Sequence, residues 1–184
     1  MSIWIICQGF VGNAIYQKFK NFYDISTYDL DSSKSNSTQE ETMSKDIIFI
    51  CLPTPMSEDG TCYTGIVEKA IDDINSFGEC KIVVIKSTVP PGTADRLNTL
   101  YKDMYVAFNP EFLTERNAVE DFNNQNRIIL GGPRPATSKL KQIYSKVFPQ
   151  AHIIKTGSTH AEMVKYFTNC FLASKVSFAN EMYQ

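Results

Sequence analysis

Cys7-Gln8-Gly9-Phe10-Val11-Gly12 follows a short apolar run, and a carboxylate, Asp29, closes the next one. Glycines in such a turn let the backbone approach a pyrophosphate, and the N-terminus of a following helix stabilises its negative charge. A carboxylate at the end of the second strand accepts both ribose hydroxyls of NAD and repels the extra phosphate of NADP. Cys7 stands where the first glycine of the pattern belongs, while Asp29 lies 20 residues beyond Gly9, as the pattern requires. A strand–turn–helix without a ligand is the plain alternative. The context favours the dinucleotide.

Three further stretches carry side chains suited to chemistry. Cys51-Leu52-Pro53-Thr54-Pro55 and Ser87-Thr88-Val89-Pro90-Pro91-Gly92-Thr93 each follow an apolar run directly, and Asn109-Pro110-Glu111-Phe112-Leu113-Thr114-Glu115 follows another. Carboxyl ends of parallel strands are where open α/β sheets bind ligands, although Pro, Gly, Ser and Thr also serve ordinary turns. Lys165 and Asn169 are four residues apart and share one face of a helix. A cation and an amide donor so placed stabilise a developing alkoxide or tetrahedral oxyanion by about 3 kcal/mol per donor. The apolar neighbours Phe167, Phe171 and Leu172 predict that Lys165 is buried and has a task.

Alternating elements must position these loops. Ser2–Cys7, Asp24–Tyr28, Asp46–Leu52 and Lys81–Lys86 read as short β-branched strands buried on both faces. Tyr105–Phe108, Arg127–Leu130 and His152–Ile154 are further strands. Helices are expected at Asn13–Phe19, around the Ile66-Val67-Ala70-Ile71-Ile74 stripe, at Thr93–Leu100 and at Lys139–Val147. Residues 31–45 are polar and read as a solvated connection with at most a weak helix. The alternation predicts an α/β fold with a doubly wound, mostly parallel sheet. Thr159-His160-Ala161-Glu162 fits a capping box opening a last helix that runs to Gln184 and is apolar around most of its circumference. Such a helix must be covered by something. A partner subunit or a missing remainder of the chain is the expectation.

The 184 residues carry 18 basic and 20 acidic side chains, a net charge of -2 that offers nucleic acid no attraction. No apolar run is long enough to span a membrane, and Ile3–Cys7 lacks the flanks of a secretory signal. The five cysteines (Cys7, Cys51, Cys62, Cys80 and Cys170) form no Cys-x-x-Cys pair, which argues against zinc or a disulfide framework and for a cytoplasmic chain. Cys170 reads as core packing. His152 and His160 have no ligand-spaced partner and read as structural; no metal site is expected.

Taken in order and spacing, these strings resemble the UDP-glucose/GDP-mannose dehydrogenase family. The resemblance continues through Asn126-Arg127-Ile128-Ile129-Leu130-Gly131-Gly132 and Ala161-Glu162-Met163-Val164-Lys165-Tyr166-Phe167-Thr168-Asn169. It implies a Rossmann-like NAD-binding domain over residues 1–157, and the start of a central helical, dimerising segment over 158–184. It also implies a two-step oxidation of a nucleotide sugar, UDP-glucose to UDP-glucuronate, with two NAD+ and a thiol-linked intermediate. By position, Gly9, Phe10, Val11 and Gly12 would line the pyrophosphate and Asp29 the ribose, with Lys34 nearby. Pro53, Thr54, Ser87 and Thr88 would flank the cofactor, which Glu115 also faces. Glu111 and Thr88 would position water, and Phe112, Leu113 and Glu115 would contact the nucleotide sugar along with Glu111, Lys165 and Asn169.

The family's nucleophilic cysteine belongs to a glycine-rich Cys-x-x-Lys-Asp segment that none of the five cysteines matches. The expectation is a homodimeric chain truncated before that thiol, binding NAD+ without completing a four-electron oxidation. Two other readings are a non-catalytic dinucleotide-binding or regulatory module that dimerises through its last helix, and a hydroxyacid dehydrogenase using Lys165 as acid and base.

Overall fold

The computed structural model describes residues 2–43, 45–78 and 81–183, so Cys80 and the final Gln184 lie outside the described residues. Seven strands form one sheet: β1 (Ser2–Ile6), β2 (Asp24–Tyr28), β3 (Ile47–Ile50), β4 (Ile82–Ile85), β5 (Tyr105–Phe108), β6 (Arg127–Gly131) and β7 (His152–Thr156). Their order is β2-β1-β3-β4-β5-β6-β7, and every neighbouring pair is parallel except β5–β6. That exception is joined by a single antiparallel pair, Phe108 with Gly131.

The helices are α1 (Phe10–Phe19), α2 (Gln39–Met43), α3 (Gly65–Phe77), α4 (Thr93–Leu100), α5 (Ala118–Asn123), α6 (Arg134–Val147) and α7 (Ser158–Tyr183). They cover both faces, as the β-branched runs require. Ile3, Ile5, Ile47, Phe49 and Val84 pack on one side with Phe19, Phe122 and Tyr144. Trp4, Ile6, Ile48, Ile50, Val83 and Ile85 pack on the other with Val67, Ile71, Ile74 and Leu97. Successive strand residues therefore feed opposite cores, and the sheet is doubly wound.

The structure corrects several local expectations. Helix α6 begins at Arg134 rather than Lys139, because Pro135 sits in its first turn, where a missing N–H costs nothing. Helix α5 was not anticipated, and the 31–45 connection holds a 3-10 turn at Ser32–Lys34 as well as α2.

The capping box does not form. The Glu162 carboxylate, fully buried, instead accepts the Gly92 N–H at 2.6 Å and the Ala94 N–H at 2.8 Å, capping α4 rather than its own helix. Thr159 Oγ1 donates to Asp95 in the first turn of the same α4 at 2.8 Å. A second helix offers Glu162 two orphan donors, and a carboxylate at a helix N-terminus also gains from the dipole.

The pattern of α7 is the inverse of the usual one. Its buried residues are Ser158, Ala161, Glu162 and Lys165, whereas Phe167 is 70% and Phe178 69% exposed. The expectation that Phe167, Phe171 and Leu172 enclose Lys165 is therefore wrong, since all three are exposed. Among the described residues, no helix is long and apolar enough to cross a membrane.

Replacing Glu162 leaves two buried or half-buried N–H groups of α4 without acceptors. Glu162→Ala should lower unfolding free energy by about 1–3 kcal/mol, read from the urea midpoint; an unchanged midpoint would contradict the cap.

Candidate functional site

The site is built from the residues that immediately follow the strands. Each of four strands extends its ladder by one further donor: Cys7 N to Tyr28 O at 2.8 Å, Cys51 N to Ile6 O at 3.0 Å, Lys86 N to Ile50 O at 2.9 Å and Asn109 N to Ile85 O at 3.0 Å. The result is a row of polar side chains, Cys7–Cys51–Lys86–Asn109, across the carboxyl edge of the sheet. Because pleating alternates, this row lies on the side of Phe19, Phe49 and Tyr144. Each member directly follows an apolar run, a signal the sequence contained for Lys86 and Asn109 but which pointed to no role there.

The glycine turn takes the shape its motif predicts, with strain. Cys7 has φ 74°, the sole positive φ of a non-glycine residue among those described. A Cβ on Gly12 would lie 2.0 Å from the Cys7 carbonyl oxygen, so the helix can start this close to the turn only with glycine there. Gly9 caps α1 without any side-chain hydrogen bond, and the buried Gln8 Nε2 beside it has no partner. The first amides of a ten-residue helix are thus unclaimed by side chains, as an anion site needs.

Asp29 lies across this turn. Its Oδ2 accepts the Gln8 N–H at 2.6 Å and its Oδ1 accepts the Asp31 N–H at 2.9 Å. Each oxygen keeps a second lone pair for a hydroxyl donor. Asp29, Cys7 and Pro53 line a mainly apolar cavity of about 410 Å³ with Leu30, Ile66 and Ala70. Lys34 lines a separate cleft with Gly9 and Phe10 and pairs with Asp31 at 3.5 Å.

Most of the remaining expected residues meet in one cleft of about 320 Å³. Gly9, Phe10 and Val11 of the turn, Pro53 and Thr54, Ser87 and Thr88, and Glu111 all line it, together with Cys51 and Lys86. The loops are pinned to one another: Thr54 Oγ1 donates to Thr88 O at 2.8 Å, and Ser87 Oγ to Leu52 O at 2.6 Å. Glu115 is exposed at the start of a 3-10 turn and does not line this cleft, and Leu113 packs against the core.

Lys165 is buried, but by a carboxylate. Its Nζ donates to Glu111 Oε1 at 2.8 Å and to Glu111 O at 2.7 Å, while Glu111 Oε2 accepts the Leu113 N–H at 2.7 Å. The Phe112 ring lies 5.7 Å from the same ammonium and 5.4 Å from the Arg127 guanidinium. Asn169, one turn further along α7, is exposed and lines a different cavity, of about 520 Å³, with Thr54, Thr88, Cys62 and Cys170. Cys170 is exposed rather than packed in the core. His152 and His160 are exposed, and no cluster of three metal-ligating side chains occurs among the described residues.

Lys86 lines the same cleft as Glu111, a placement its position at the end of an apolar run did not reveal. It is 4% exposed, and its Nζ donates to Asn109 Oδ1 at 2.9 Å. Asn109 is itself held by Nδ2 donating to Ile129 O at 2.7 Å and by the Tyr144 hydroxyl donating to its Oδ1. Burial brings the Lys86 amine down to about 8, with Cys51 and Glu111 opposing and the Lys165 cation adding to the shift. The cleft thus contains a paired cation–carboxylate and a second amine that can lose its proton close to neutrality.

The NAD binding domain of the UDP-glucose/GDP-mannose dehydrogenase family matches residues 24–149, and the central domain of the same family matches residues 159–184. UDP-glucose 6-dehydrogenase of Rickettsia prowazekii is 37% identical over 156 residues, covering 80% of this chain and 36% of the relative. A UDP-glucose dehydrogenase structure from Pyrobaculum islandicum superposes with a TM-score of 0.86 at 30% identity, covering 98% of this chain and 52% of that one. A ternary complex of GDP-mannose dehydrogenase from Pseudomonas aeruginosa gives 0.84 at 26% identity, covering 98% and 52%. The chain thus spans about a third of that curated relative and about half of those two solved structures.

Two outcomes test the geometry. Cys7→Gly should raise unfolding free energy by about 0.5–1 kcal/mol, since a left-handed residue costs 1–2 kcal/mol and glycine's greater unfolded entropy returns part of it; a lower midpoint would place the strain elsewhere. In an NMR titration of lysine Nζ and Cε nuclei, one lysine should titrate near pH 8 and vanish in Lys86→Met. Its absence would mean that Lys86 is not desolvated.

Proposed function

The chain belongs to the UDP-glucose/GDP-mannose dehydrogenase family, and on that premise we propose that it is the cofactor-binding part of an enzyme oxidising UDP-glucose to UDP-glucuronate. It carries the family's NAD-binding domain. One observation carries the reading: the glycine turn, Thr88 and Glu111 line a single cleft, with Lys165 tied to Glu111 at 2.8 Å. A cofactor on the turn and a sugar at the pair would then lie side by side.

NAD+, when bound, supplies the hydride acceptor for the sugar's primary alcohol. The protein supplies position and charge. Gly9, Phe10, Val11 and Gly12 present the N-terminus of α1 to the pyrophosphate. Asp29, its carboxylate oriented by Gln8 and Asp31 N–H groups, takes the ribose hydroxyls and repels a 2′-phosphate. Pro53, Thr54 and Ser87 flank the ring end, with Lys34 and Glu115 at the rim.

Glu111 and Thr88 hold a water, Glu111 accepting its proton and Thr88 fixing its direction. Lys165 lends its positive charge and Asn169 its amide hydrogens to oxygen as negative charge develops there. Phe112 and Leu113 shape the sugar side of the Glu111 loop. None of the five cysteines lies in a Cys-x-x-Lys-Asp segment that would supply the thiol of the two-step oxidation. Residues 1–157 serve as the NAD-binding unit, residues 158–184 open the helical segment, and the exposed apolar face of α7 is the surface on which two chains of a cytoplasmic homodimer meet.

Calorimetric titration with NAD+ and NADP+ tests the cofactor half. Saturable NAD+ binding should be at least about tenfold tighter than NADP+, equivalent to roughly 1.4 kcal/mol, and Asp29→Ala should remove the preference. Equal affinities, or no binding by a folded chain, would overturn the assignment of Asp29.

A further inference from the structure

Of the residues that line the cleft beside the glycine turn, Lys86 and Glu111 alone belong to the charged types. Lys165 matches the Glu111 carboxylate at 2.8 Å, so that pair brings no net charge into the cleft. Lys86 has no such match. Among the described residues its Nζ forms no ion pair, and its one hydrogen-bond acceptor is the neutral Asn109 amide at 2.9 Å. When protonated, Lys86 therefore gives the cleft a net positive charge.

That charge is fixed in place. Lys86 is buried, its main-chain N–H is tied to Ile50 O at 2.9 Å, and Asn109 is held in turn by Ile129 O and the Tyr144 hydroxyl. A surface lysine would swing its ammonium into water and be screened, whereas a buried one acts on its neighbours through a lower effective dielectric. The titratable groups around it are the Cys51 thiol after β3, Glu111 after β5, Tyr144 of α6 and Lys165 of α7. The Cys7 thiol lines the same cleft. Burial pushes both thiols and the phenol up, so they stay neutral where Lys86, brought down by burial to about 8, exchanges its proton.

The nicotinamide ring of NAD+ is a cation and that of NADH is neutral, while the rest of the two molecules is the same. In the proposed cofactor placement, on which this inference rests, Pro53, Thr54 and Ser87 flank the ring end, and all three line the same cleft as Lys86. We propose that Lys86 determines the cleft's specificity for the oxidation state of its cofactor, its ammonium opposing the charged ring of NAD+ and leaving the neutral ring of NADH unopposed. The attraction of the same ammonium for the pyrophosphate is common to both forms and cancels from their ratio. The effect has a direction: the ring loses its positive charge as hydride reaches it, so the repulsion is relieved by alcohol oxidation and restored by the reverse. Below the titration of Lys86 the amine is protonated and the cleft prefers NADH; above it the amine is neutral and that preference falls.

The test measures Kd for NAD+ and for NADH by calorimetry on the 184-residue chain, at about pH 6.5 and about pH 9, on either side of the Lys86 titration. The ratio Kd(NAD+)/Kd(NADH) should fall about tenfold between them, the order expected of two unit charges within about 10 Å in a partly buried site. Lys86→Met should give the lower ratio at both pH values, and Lys86→Arg, whose guanidinium keeps its proton, the higher ratio at both. A wild-type ratio that does not fall with pH, or a fall that survives in Lys86→Met, would overturn the inference and leave the cofactor site standing. Binding of neither cofactor by a folded chain would overturn the site and the inference together. The wild-type comparison needs no variant, so a substitution that fails to fold does not remove the test.

Discussion

A buried carboxylate sets the position of everything on the last helix. Glu162 holds the N–H groups of Gly92 and Ala94, which fixes α7 in both rotation and height against α4. From that fixed point the helical repeat does the rest. Residues three, four and seven positions on, Lys165, Tyr166 and Asn169, fall on the same face. Lys165 reaches Glu111, while Tyr166 and Asn169 line the cavity shared with Thr88. A helix whose inward face is ionic and amide needs such a clamp, because an apolar stripe would position it only to within a side chain's slack.

The ion pair that this clamp delivers is not there for stability. Burying Lys165 and Glu111 costs each of them hydration, and such pairs often contribute no more than an apolar pair of the same volume would. What the pair provides is direction: a carboxylate with one oxygen held by an ammonium and the other by the Leu113 N–H has its remaining lone pairs aimed. Lys86 adds a contrast within the same cleft. One lysine is matched by an anion and the other only by a neutral amide, and burial lowers the proton affinity of Lys86.

Much of the architecture was legible because buried parallel strands leave so strong a mark. Ile47–Ile50 and Ile82–Ile85 are uninterrupted β-branched or aromatic runs, and nothing else explains them. The loops at their ends could be read as site-forming for the same reason. Other features needed the third dimension. Thr159 and Glu162 have the spacing of a local cap, yet the neighbouring helix offered Thr159 a carboxylate acceptor and Glu162 two N–H donors, and won. The helix expected from Lys139 starts at Arg134, with Pro135 taken into its first turn. Cys170 looked like core because free cysteines usually are; its helix is turned with its apolar side outward. Asn109 and Lys86 carry no periodic signal, since a side chain that satisfies one buried amide leaves no trace in spacing.

The reversal of strand direction between β5 and β6 gives one residue an unusual share of responsibility. A regular ladder is indifferent to side-chain identity, because main-chain groups make its bonds. Here the ladder is reduced to one pair, and Asn109 spans the gap with its amide on Ile129 O. Tolerance to substitution is therefore uneven along the sheet: interchangeable apolar residues suffice in β3 and β4, whereas at this junction the Asn109 amide supplements a single main-chain pair and also holds the Lys86 amine. Inherited variation in such a chain should accumulate at the edges and leave that junction untouched, since no other side chain offers a donor and an acceptor at the same reach.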